Sequence, residues 1–170
     1  MLTPPEEILE EAIASANNSI CRSKRGAVIF RLRKDQVDVL ASSGWNHQPT
    51  FLCDGSETCK STCGKTAVHA EQSAILRMGP WRWSPHFEIL HVKTVDGLLV
   101  PSGPPSCLEC SKLILEAGIE HVWLFHEDGW KRYGAGEFHQ LTMEHHQIGK
   151  LESADWPGVV REIEKREASE

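Results

Sequence analysis

The chain has no excess of positive charge. Its 18 lysines and arginines are outnumbered by 24 aspartates and glutamates, giving a net charge of −6 and a pI near 5.8. Phosphate contacts dominate affinity for polynucleotides, so a protein that binds them ordinarily shows a basic surface. Nor does any stretch interleave basic and aromatic residues, as a single-strand groove does. The balance argues for a small substrate. No apolar run is long enough to cross a bilayer. The start, Met1-Leu2-Thr3-Pro4-Pro5-Glu6-Glu7, has neither a basic opening nor an apolar core, which reads as no secretory leader and a cytoplasmic location. Six cysteines in that compartment suggest reduced thiols and metal in place of disulfides. There is no internal repeat, low-complexity segment or linker. At 170 residues the expectation is one domain over 1–170 with a core large enough to be stable unaided. A polar, peripheral helical tail is expected from about residue 150.

Periodicity supplies the elements. Thr3 and Glu6 read as a capping box, with Pro4 or Pro5 at the first helical position. Ile8, Leu9, Ala12, Ile13 and Ala16 follow as a helical core stripe ending near Asn17-Asn18. Gly26–Phe30 and Val37–Trp45 read as a hairpin across a charged turn. A long polar loop spans 46 to 66, the kind of loop that is usually functional or stapled by metal. A helix beginning near His69 runs to about Met78, where Gly79-Pro80 closes it. Trp81 and Trp83 after it read as cover for the core edge. Glu88–Thr94 is a third strand. Pro104-Pro105 introduces a helix bearing Leu113, Ile114 and Ala117, and Gly118 stops it. Ile119–Phe125 then completes a βα unit, so these later strands should be parallel. Glu137–His146 reads as a weaker helix, with His139, His145 and His146 on a solvated face or a lid.

Two motifs carry chemistry. His69-Ala70-Glu71 and Cys107-Leu108-Glu109-Cys110 together offer an imidazole, two thiols and a carboxylate. A catalytic zinc takes three protein ligands and keeps a fourth position open. His69, Cys107 and Cys110 fill those roles, and Glu71 is left to move protons. Cysteines three apart share one helix face. In a first turn the helix dipole also favours thiolate. Residues 69 and 71 point in nearly opposite directions on an ideal helix, so the pair works only if His69 stands at the helix entry. The competing readings are a closed structural zinc site, which has no use for Glu71, and a plain C-x-x-C redox pair, which has no use for the upstream H-x-E.

These motifs resemble the signature of zinc deaminases, H-x-E followed by P-C-x-x-C. Gly26–Ile29, Ser43-Gly44-Trp45-Asn46, Val68–Ile75 and Ser102–Ile119 together resemble the cytidine deaminase superfamily, and most of all its deoxycytidylate deaminase branch. The resemblance covers about residues 5 to 126. It implies a three-layer α-β-α fold, with a central mixed sheet of about five strands flanked by helices, and a homo-oligomer. It implies hydrolytic deamination: a zinc-bound hydroxide attacks the amino-bearing ring carbon, Glu71 shuttles the protons, and ammonia leaves. It also implies that Asn46 hydrogen-bonds sugar or base and that the Ala70 backbone meets a ring carbonyl, although Asn46 also suits a plain turn. The chain departs from the family in three places. Ser106 separates Pro105 from the first cysteine. His47 replaces a glycine that belongs to a triphosphate regulatory site in some relatives. Arg25 stands where a small apolar residue is usual, and faces a phosphate, a ring carbonyl or solvent.

Cys21, Cys53, Cys59 and Cys63 remain. Four thiols suffice for a second, structural zinc, and the family resemblance includes a cysteine near position 21 used that way. Free thiols, with Cys21 buried as a small apolar residue, are the alternative. The substrate readings are a nucleotide or nucleoside, with a deoxycytidylate-like pyrimidine nucleotide first. A free base (guanine or cytosine) and a nucleic acid to be edited follow. A non-catalytic zinc scaffold is the reading from a different class.

Overall fold

A computed structural model describes residues 2–34, 36–49, 66–81 and 84–148. The first helix, α1, is Glu6–Asn17, and the strands β1 (Lys24–Arg33) and β2 (Gln36–Trp45) follow it. Helix α2 is Ala70–Arg77, trailed by a short 3-10 turn at Gly79–Trp81. Then come β3 (Phe87–Val95), β4 (Leu98–Val100), α3 (Leu108–Glu116), β5 (His121–His126), β6 (Gly129–Gly134) and α4 (Ala135–His145). The expected capping box does not form. Pro5 itself caps α1, and its carbonyl accepts from Ile8 and Leu9 N–H, both at 3.1 Å. Glu6 is therefore the first helical residue, and Thr3 lies two residues ahead of the N-cap position.

The sheet runs β2-β1-β3-β5-β6, with β4 paired to β3. All pairings are antiparallel except β3 with β5, which are parallel across the α3 crossover. The sheet is mixed, and helices cover both faces. Val28, Phe30, Leu90, Val92 and Trp123 pack with Ile8, Ala12 and Ala16 of α1. The alternate residues Ala27, Ile29, Ile89, Val122 and Leu124 pack with Ala70 and Ala74 of α2, Ile114 of α3 and Phe138 of α4. Successive strand residues face opposite sides, so each strand feeds two cores, and the fold is a three-layer α-β-α arrangement. Strands β4 and β6 have no counterpart in the sequence reading. Both are short or polar and alternate too weakly to be read from periodicity.

Two glycines set the layer spacing. A β-carbon on Gly26 would collide with the Ala12 carbonyl of α1 and lie 2.7 Å from Ala16 N. A β-carbon on Gly44 would collide with Ala74 N and lie 2.7 Å from the Ala70 carbonyl of α2. Backbone meets backbone at both places. At the end of β2, His47 forms an isolated bridge with Val68 through N–H···O bonds of 3.1 and 2.8 Å. That bridge fixes the chain immediately before His69.

The opposite face holds a buried acid. Glu88 accepts from Trp123 Nε1 at 2.6 Å and from Arg132 Nε and Nη2 at 2.9 and 2.7 Å. Burial would raise its carboxyl, but these donors outweigh burial and hold it below the ordinary 4.5. A lowered folded-state value stabilises the fold above the unfolded value, and that stability is lost as pH falls through the folded value. Trp123→Phe should cost about 1.5–3 kcal/mol, the range for a hydrogen bond to a charged group. Glu88→Gln should flatten the loss of stability below about pH 4.5. Thermal denaturation across pH 3 to 7 checks both.

Candidate metal centre and its cavity

His69 is the N-cap of α2, in extended backbone at φ −75° and ψ 159°. Its N–H donates to the Gln72 side chain at 2.9 Å, which anchors the helix entry. Glu71 is the second helical residue and nearly buried. Cys107 is the N-cap of α3, and its sulfur accepts from Cys110 N–H at 3.3 Å. Cys110 is the third helical residue. Two helix N-termini thus face one point, which favours negative sulfur and carboxylate there.

The three expected ligands converge. His69 Nδ1 lies 3.2 Å from Cys107 Sγ and 3.3 Å from Cys110 Sγ, and the two sulfurs are 3.0 Å apart. Among the described residues this is the one group of three or more ligand side chains close enough to share an ion. With zinc–sulfur bonds of about 2.3 Å and zinc–nitrogen bonds of about 2.0–2.1 Å, a tetrahedral site has edges of about 3.5–3.8 Å. Opening the triangle by roughly half an ångström therefore suffices for an ion. The nitrogen facing the sulfurs is Nδ1. The donor set of two soft sulfurs and one imidazole suits zinc.

Charge at the centre follows from the contacts. The Cys110 thiol donates to Cys107, and this, helped by His69, lowers Cys107 to about 5. The same bond, with burial, drives Cys110 up. His69 is raised by its bond to Cys107. Burial alone would raise Glu71, but His91, its own backbone N–H, His69 and Arg25 leave it lowered.

The centre opens into a cavity of about 570 Å³, within the usual size range of small-molecule sites. His69, Glu71 and Cys107 line it, with Pro104, Pro105 and Ser106 from the segment before α3 and Phe138 from α4. Arg25, Asn46 and Cys21 also line it, whereas the Ala70 side chain, at the first position of α2, is fully buried. Asn46 has structural work. Its Oδ1 accepts from Arg25 N–H and its Nδ2 donates to the Ser23 carbonyl, both at 2.8 Å, clipping the entry of β1. Cys21 is buried, while Cys53, Cys59 and Cys63 lie outside the described residues.

Two things were missed by reading residues in order. His91 also lines the cavity, with Nε2 3.9 Å from Glu71 Oε1. Burial pushes it down to about 4, so it is neutral near pH 7. The available signal was strand alternation, since His91 shares parity with Ile89, which faces α2 and α3. The second is the placement of the late histidines. His139 Nδ1 meets Ser111 Oγ of α3 at 2.9 Å, and His146 Nε2 meets the Ser106 carbonyl at 2.7 Å. His139 is half-buried and ties α4 to α3, whereas His145 and His146 are exposed, as expected of a solvated face, with His146 reaching the cavity wall from the end of α4.

No family model matches the chain, and no curated protein matches it. Among the described residues no helix is long and apolar enough to cross a membrane.

Proposed function

We propose that the chain is a zinc-dependent hydrolytic deaminase acting on a nucleotide, nucleoside or nucleobase, with a deoxycytidylate-like pyrimidine nucleotide as the favoured substrate. The observation that carries this reading is the triangle of His69 Nδ1, Cys107 Sγ and Cys110 Sγ. Among the described residues it offers three ligands, and the buried Glu71 carboxyl shares its cavity without belonging to it. A closed structural site wants a fourth protein ligand and gives a buried carboxylate no task. Zinc held by this triangle would supply Lewis acidity and bring the pKa of a water near neutral.

The chain's own residues would do the rest. Glu71, one residue inside α2, takes a proton and returns it to the ring nitrogen and to the departing amine. The α2 and α3 N-termini hold the charges of Glu71 and the sulfurs in place. Pro104-Pro105, Ser106 and Phe138 wall off bulk water and orient a flat ring. Asn46 keeps one amide hydrogen for a sugar or base, since its other polar contacts serve the backbone. The resemblance to cytidine deaminase-like proteins, a homo-oligomeric assembly and a cytoplasmic location belong to the same proposal.

Release of ammonia from a panel of nucleobases, nucleosides and nucleotides tests the activity. Turnover of none of them overturns it. Metal analysis tests the centre. The reading expects zinc in the purified chain and the loss of one equivalent in His69→Ala and in Cys110→Ser. A second equivalent that survives those substitutions but not Cys59→Ser would assign a structural zinc to Cys21, Cys53, Cys59 and Cys63. One equivalent in total dismisses that second site.

A further inference from the structure

Arg25 and His91 form a wall of the cavity that neither motif predicts. Both lie on the sheet face that carries the centre. Arg25 has the parity of Ala27 and Ile29 in β1, and His91 pairs with Ala27 across to β3. Arg25 Nη1 is 3.5 Å from His91 Nε2, and His91 Nε2 is 3.9 Å from Glu71 Oε1. An arginine can only donate, so their 3.5 Å contact uses the Nε2 lone pair of His91, while Nδ1 is buried with no hydrogen-bond partner among the described residues. His91 is thereby a neutral prop for the guanidinium. Among the described residues Arg25 makes no ion pair with a carboxylate, and its planar fork retains several N–H donors toward the cavity.

A permanent, donor-only cation beside the proton-shuttling carboxylate calls for an acceptor on the ligand. Glu71 addresses the ring nitrogen next to the amino-bearing carbon. On the far side of that nitrogen, cytosine-type bases carry a carbonyl oxygen, whereas adenine-type bases carry only hydrogen. The guanidinium lies within the two spans just given, end to end, of Glu71, which is the reach of that position.

We propose that Arg25, propped by His91, selects bases whose reacting amidine is flanked by a carbonyl oxygen, and so excludes adenine-type substrates. Arg25 is the specificity-determining contact and His91 its positioning residue. The proposal rests on the deaminase reading of the same cavity. A site built to pair a ligand oxygen leaves a buried donor unpaired when that oxygen is missing, and this is why such sites discriminate strongly.

Two matched pairs isolate the oxygen: cytosine against 4-aminopyrimidine, and isocytosine against 2-aminopyrimidine. Calorimetric binding is measured on full-length, zinc-loaded Glu71→Gln protein, which prevents turnover. The oxygen-bearing member of at least one pair should bind about tenfold or more tighter. Adding Arg25→Met should bring the ratio to within about twofold by weakening only that member, and Arg25→Lys should restore part of it. His91→Phe should lower the ratio while zinc content stays unchanged. Absence of an oxygen preference in the protein that retains Arg25 overturns the proposal without any further variant. So does an Arg25→Met protein that weakens both members equally, or that instead loses the preference for cytidine monophosphate over cytidine, which would make Arg25 a phosphate contact. Ammonia release by the unsubstituted chain separates the two readings. Release with no effect of Arg25 on the ratios sinks only the specificity proposal. Preserved ratios without release from any substrate sink only the deaminase.

Discussion

Glu71→Gln is expected to reduce ammonia release by at least about 10²-fold, and by up to about 10⁴-fold, the usual contribution of a positioned acid-base group. Glutamine keeps the shape of the side chain and its place one residue into α2 but can neither accept nor return the proton. Because Glu71 stands outside the triangle of His69, Cys107 and Cys110, zinc content should not change. That pairing of lost turnover with retained metal separates an enzyme from a scaffold. A Glu71→Gln protein with undiminished turnover would remove the carboxylate from the chemistry. A protein that loses its zinc instead would make Glu71 a ligand, and the site a closed one. Kinetics on the best substrate of the panel, with metal analysis of the same preparation, decides among the three.

Gly44→Ala should produce a large loss of stability for a single conservative change. The added carbon would collide with Ala74 N and sit 2.7 Å from the Ala70 carbonyl, so relief must come from moving α2 off the sheet. Overpacking that side chains can absorb costs about 1–3 kcal/mol, and here no flexible side chain is available to yield. The expected cost is therefore about 3 kcal/mol or more, with the melting temperature lowered by about 6–12 °C for a chain of this size. Because α2 presents His69 and Glu71, zinc occupancy should fall together with stability. The Arg77 guanidinium 4.1 Å from the Trp45 ring holds the other end of α2 to β2, so the helix would tilt about that contact. A melting temperature within a degree or two of the parent would show that the layers can separate at small cost.

Much of this site was legible because its parts are local. The spacing of Cys107 and Cys110, the prolines before them and Gly118 after them define a helix and the place of both thiols in its first turn. Gly118 duly takes φ +72°. His69 had to stand at the entry of α2 for Glu71 to share its cavity, and it does. The α1 stripe, the β1–β2 hairpin and the parallel β3–β5 pair also follow from periodicity and connection length. What stayed hidden depends on contacts distant in sequence. His91 looks like any histidine in a strand until β3 is placed between β1 and β5 and its parity fixed. Arg25 gains its meaning only from His91. Asn46 looks like a turn residue or a ligand contact, and its role in clipping Ser23 and Arg25 appears only when β2 lies beside β1. The strand β6, with alternating Lys131, Arg132 and Tyr133, has too little apolar rhythm to stand out, yet Arg132 is what neutralises Glu88.

The donors of the triangle come from different parts of the chain's architecture. His69 arrives through the His47–Val68 bridge at the end of the antiparallel hairpin, and the sulfurs arrive on the crossover between the parallel strands. Of these three donors, an incompletely collapsed chain would offer an ion just the two neighbouring thiols, and a tridentate grip would need both halves docked. Were the triangle to hold an ion, metal retention would report on completed tertiary assembly.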